Sequence, residues 1–97
     1  MSELSADAAR GARAKAVLES DIYREAHASV RQALLDKWEA SPIRDVEGQH
    51  ELKLMLKLLR EVEKFMQEAV TSGKLAEIQL ERENTLRARA RKLFRAT

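Results

Sequence analysis

From Leu52 onward the chain reads Leu52, Met55, Leu59, Val62, Met66, Ala69, with apolar residues at alternating steps of three and four. That heptad spacing holds for about two and a half repeats, and it suits a helix that presses one seam against a partner helix. Leu56, Leu58, Phe65 and Val70 widen the seam beyond a single line, so this helix is expected to meet more than one neighbour. Asp45 stands where an N-cap belongs, with Glu47 in the first turn, where a negative charge suits the free N–H groups. Gly73 stands where a left-handed residue would close the helix. The pattern therefore predicts a central helix over residues 45–73, a rod of about 40 Å.

What can pack on that rod is decided by the flanking segments. Residues 6–18 are rich in Ala and Arg, with Ser5 or Asp7 as a cap and a thin apolar face of Ala9, Ala12, Ala16 and Val17. Gly11 in their middle costs about 1 kcal/mol relative to Ala. Ser20 and Asp21 then read as the opening of a second helix, whose apolar face holds Ile22, Ala26, Val30, Ala33, Leu34 and Trp38, flanked by Tyr23, His27 and Leu35. Pro42 disfavours helical geometry at Ser41 and donates no backbone hydrogen bond, so this helix should stop near Ala40. The short connection 41–44 predicts an antiparallel neighbour, with Trp38 close to the turn. After Gly73, Leu75, Ile78, Leu86, Ala90 and Leu93 continue a thinner stripe, read as a separate helix over residues 74–95.

The expected fold is thus all-α: one domain over residues 1–97, an elongated antiparallel helical hairpin (core 21–72) with flanking N- and C-terminal helices. Leu52, Met55, Leu59, Val62 and Met66 form the expected packing and oligomer seam, with Trp38 and Phe65 as aromatic anchors. Ninety-seven residues with only four aromatics build a small core, which points to self-association. There is no cysteine, so disulfides and thiolate metal sites are excluded. No stretch approaches the roughly 18 to 20 apolar residues that span a bilayer, and the N-terminus lacks the order of a signal peptide. The chain is accordingly expected in the cytoplasm of the cell that makes it, away from membranes.

Chemistry-bearing patterns are few. His27 lies beside the apolar face of the second helix and His50 near Glu47 and Glu51, but neither has a second histidine at i+3 or i+4, and edge positions are the expected reading. No catalytic triad order or glycine-rich phosphate loop occurs. Lys57, Glu61, Lys64 and Glu68 read as a solvated face with local pairs. No enzymatic activity, cofactor, metal or small-molecule substrate is expected. The strongest charge feature is the C-terminal segment: residues 82–97 carry six basic side chains against Glu83 alone, while residues 1–81 are net acidic. Arg87, Arg91 and Arg95 share one face there, suited either to an acidic protein or to the phosphates of a nucleic acid.

Several pieces of the middle of the chain form a pattern: Trp38, then Ser41-Pro42-Ile43-Arg44-Asp45-Val46-Glu47-Gly48, then Leu56-Lys57-Leu58-Leu59, then Thr71-Ser72-Gly73-Lys74-Leu75-Ala76. Over residues 20–80 the chain resembles small helical proteins encoded among the head-assembly genes of tailed bacteriophages and prophages. The matching features are structural (a turn, a cap, a seam, a helix stop), and the resemblance transfers no catalytic residue. It implies a structural protein of head assembly or the virion, located in the host cytoplasm or the particle. Its implied partners are copies of itself, capsid or portal. A rival reading is a nucleic-acid-binding module of the DNA-packaging machinery, similar to a small terminase subunit, and a third is a regulator of a host protein.

Overall fold

Helix boundaries are set by a handful of short polar side chains. In the computed structural model, which describes residues 2–95, the chain is all-helical, with α1 at Glu3–Glu19, α2 at Asp21–Ala40 and α3 at Val46–Arg95. No strand occurs among the described residues. Ser2, rather than Ser5 or Asp7, caps α1, its hydroxyl accepting a bond from the Ser5 N–H at 3.2 Å. Ser20 serves two helices at once: its extended backbone ends α1, and its hydroxyl accepts from the Tyr23 N–H to open α2. A single residue therefore separates the two helices.

Proline ends α2 as its chemistry requires. Ser41 is extended ahead of Pro42, and its hydroxyl donates to the Trp38 carbonyl at 2.6 Å. The Pro42 carbonyl then accepts from the Asp45 N–H and from the Gln49 side chain, both at 2.9 Å, which pins the turn to the next helix. Asp45 caps α3 through a bond from the Gly48 N–H at 3.0 Å. The helix that follows is 50 residues long.

That length corrects the reading of Gly73 as a stop and of residues 74–95 as a separate helix. Gly73 has no positive φ and lies inside α3. What it provides is closeness. A Cβ added at Gly73 would lie 2.7 Å from the Cα of Gly11 and 3.1 Å from the Asp7 carbonyl oxygen, and one added at Gly11 would lie 2.7 Å from the Cα of Gly73. The two glycines let the backbones of α1 and α3 touch, and strong helix formers after Gly73 (Lys74, Leu75, Ala76, Glu77) carry the helix onward. Gly11, Ala69, Gly73 and Ala76 are the buried residues of this crossing.

Both shorter helices run opposite to α3. His27 of α2 lies beside Glu63, while Leu35 and Trp38 lie beside Val46 to Leu56, so α2 descends along the first half of α3. The end of α1 joins the start of α2 through Ser20, which leaves α1 on the upper part, over residues 69–76. Residues 81–95 of α3 project beyond both, and every one of them is exposed. The molecule is a rod of 81 × 24 × 17 Å with a radius of gyration of 22.1 Å, against about 12.5 Å for a compact chain of this length.

The inward faces also differ from expectation. On α1 the inward line is Leu4, Ala8, Gly11, Ala14 and Leu18, not Ala9, Ala12, Ala16 and Val17. On α2, Tyr23, His27, Leu34 and Leu35 turn inward, whereas Ile22, Ala26, Val30, Ala33 and Trp38 remain exposed. On α3 the covered line is Leu52, Leu56, Leu59, Glu63, Met66, Ala69, Gly73 and Ala76. Of the expected seam, Leu52, Leu59 and Met66 are half-buried; Met55, Val62 and Phe65 are not.

Candidate interaction surfaces

The residues left uncovered form one surface. Met55, Leu58, Val62 and Phe65 follow each other at steps of three, four and three, and all are exposed, Leu58 to 66%. At about 100° per residue they lie in line with Ala69 and Ala76 on the same face of α3. Higher up, α1 covers that face; lower down, nothing does. There α2 sits about 100° around the helix, over Leu52, Leu56, Leu59 and Glu63. The exposed row of α2 opens on the same side: Ile22 and Ala26 share a shallow apolar hollow with Ala16 and Val17 at the end of α1. Two parallel apolar rows, Ile22, Ala26, Val30, Ala33 and Met55, Leu58, Val62, Phe65, thus make one open face beside α1.

Covering is sparse elsewhere as well. The only buried hydrophobic residues among those described are Ala69 and Ala76, each 3% exposed. The accessible surface is 8328 Å², whereas a folded monomer of 11.0 kDa exposes about 5,600 Å². The shortfall of roughly 2,700 Å² exceeds the 800 Å² or so that each partner buries in an ordinary protein interface.

The opposite side of α2 and α3 is polar and basic. His27, Arg31, Lys53, Lys57, Arg60 and Glu63 line an open groove of about 380 Å³ with Leu56 and Leu59 at its floor. His27 Nε2 lies 3.5 Å from Glu63 Oε2 but is not aligned for a hydrogen bond. Tyr23, one turn before His27 with its ring centroid 5.9 Å away, has a shielded hydroxyl with no partner. Loss of hydration pushes the Tyr23 phenol above its ordinary 10.0, and the Glu63 carboxylate adds to the effect. His50 lies in a separate hollow with Leu35, Trp38, Val46 and Leu56. No three His, Cys, Asp or Glu side chains converge as a metal site among the described residues.

Arg87, Arg91 and Arg95 all lie on the projecting end of α3, exposed and far from α1 and α2. At the upper end of the open face, next to α1, the Arg10 guanidinium lies over the Phe65 ring, 5.4 Å from its centroid. The pairing of Gly11 with Gly73 and of Arg10 with Phe65 was the part that periodicity missed. Its available signal was the small-residue spacing Ala8, Gly11, Ala14 on one helix and Ala69, Gly73, Ala76 on the other. Among the described residues no helix is long and apolar enough to cross a membrane. No protein-family model, curated protein or solved structure matches the chain.

Proposed function

We propose that the chain is a structural assembly protein that works through helix-mediated contacts, as a virion-associated or head-assembly component of a tailed bacteriophage. One observation carries the contact role: the open apolar face of α2 and α3, where residues expected to form a seam stand uncovered. A rod with this much apolar surface in water gains free energy whenever another surface covers it. The phage assignment is supported by the resemblance over residues 20–80 alone. The hairpin formed by α2 and the first half of α3 is the contact unit, and copies of itself, capsid or portal are the partners. Co-expression with capsid and portal proteins of a tailed bacteriophage, followed by co-sedimentation, tests this. The expected result is cosedimentation lost in Leu58→Asp; a chain that never associates with either protein, or whose association ignores Leu58→Asp, refutes it.

The projecting end of α3 favours a second reading. Its arginines have no covering element, and a free basic helix of four turns suits a nucleic-acid backbone. We prefer an acidic protein partner for it, because residues 1–81 are net acidic and repel a long duplex. Anisotropy titration of duplex DNA at two salt concentrations decides between them. The preferred reading expects no appreciable binding even at low salt. Tight, salt-sensitive binding that is lost when Arg87, Arg91 and Arg95 are all changed to Gln overturns it.

A further inference from the structure

We propose that the open apolar face is covered by a second copy of this chain, related by a twofold axis that sets the two α3 helices antiparallel. The inference deepens the contact role proposed above and rests on it.

Three observations point to a second copy in that orientation. The first is area: the roughly 2,700 Å² of excess surface per chain is shared between the open face and the projecting end of α3, and still leaves room for the 800 Å² or so that each partner buries in an ordinary interface. The second is shape. On the open side, α1 stands proud of α3 over residues 69–76, and the recess below it extends over residues 46–66. That recess is about 30 Å long at about 1.5 Å per residue, and α2, with 20 residues, has the same length. Laid face to face in parallel, two copies would drive α1 against α1. Laid antiparallel, each copy fits its α2 and lower α3 into the recess of the other, with an α1 closing each end. The result is a four-helix layer with Met55, Leu58, Val62, Ile22 and Val30 inside.

The third is charge. Arg10 marks the upper end of the recess, over Phe65. Glu47 and Glu51 lie at the lower end, both exposed, and at about 100° per residue they share the face of Met55 and Phe65. The antiparallel arrangement brings Arg10 of one copy to Glu47 and Glu51 of the other. A parallel one would bring like charges together. Electrostatic opposition of this kind selects orientation.

The chain has no cysteine, which makes the orientation directly testable. Two variants, Glu47→Cys and Phe65→Cys, are treated with a short bismaleimide, alone and mixed. The antiparallel pairing predicts a cross-linked dimer in the mixture and little in either variant alone; efficient self-linking of each variant overturns it. Sedimentation equilibrium is run in parallel on the unmodified chain, on Arg10→Glu, on Glu47→Arg and on the double variant. A dimer at micromolar concentration is expected, weakened about tenfold by either single change and restored in the double variant. Both exchanges are on the surface, so loss of folding is not at issue, and circular dichroism confirms the helix content. Failure of the double variant to recover overturns the orientation. A chain that stays at 11.0 kDa at every concentration overturns the second copy as occupant. If Leu58→Asp still abolishes cosedimentation with capsid or portal in that case, the contact role survives while this inference fails.

Discussion

Replacing Gly73 with Ala sets two effects of opposite sign against each other. Within a helix, Ala is favoured over Gly by about 1 kcal/mol, so helix propensity alone predicts a more stable protein. The structure predicts the reverse. The new Cβ would sit 2.7 Å from the Gly11 Cα, whereas ordinary contact begins near 3.4 Å. The obstacle is backbone, which cannot swing aside as a side chain can. α1 must then lift by about 0.7 Å, and a gap of that size forfeits a quarter to a half of the dispersion energy along Leu4, Ala8 and Leu18. Overpacking of this kind costs about 1–3 kcal/mol, so the net change is a loss of up to about 2 kcal/mol. For a chain of this size each kcal/mol lowers Tm by about 4–8 °C. Thermal unfolding followed at 222 nm, at fixed protein concentration, reads the difference. Gly48→Ala is the control: there the added Cβ meets only the flexible side chain of Asp45, so any loss is confined to the cap. A Gly73→Ala protein that melts higher than the original refutes the backbone contact between α1 and α3.

Three further substitutions probe the faces and the groove. Leu59→Asp, directed at α2, should cost several kcal/mol and lower the helix signal, whereas Leu58→Asp, on the open face, should leave the helices formed and abolish association; urea unfolding and sedimentation together separate the two. Tyr23→Phe removes a hydroxyl without a partner and should raise stability by about 1 kcal/mol near neutral pH. Because the folded phenol is held above 10.0, the original chain keeps that proton when the unfolded chain has lost it, and its stability falls as pH rises beyond 10; a Tyr23→Phe melt that shows the same alkaline decline refutes this assignment.

Boundaries written in local chemistry were legible in the sequence. Ser20, Pro42 and Asp45 act through their own backbone and side-chain bonds, so no distant residue can change their meaning. Gly73 was misread because one residue type signals both a left-handed helix end and a close helix crossing. Only the partner decides, and the partner is Gly11, sixty-two positions away. The facing of α3 was half legible for a related reason. Leu52, Leu59 and Met66 belong to two adjacent rows, one continued by Leu56 and interrupted by Glu63, the other continued by Met55 and Val62. Periodicity shows that both rows exist without showing which one α2 covers. Glu63 faces inward because His27 meets it there, a pairing that no spacing within α3 could reveal. The open face became visible only once α1 and α2 were seen to leave it bare.

In the contact role proposed above, this chain completes its fold by association through that face. Its most direct test is the melting temperature of the unmodified chain over a hundredfold range of concentration. Association predicts a single cooperative transition that rises with concentration, by on the order of 5 to 10 °C across that range. A transition that is cooperative and stays at the same temperature at every concentration would contradict it.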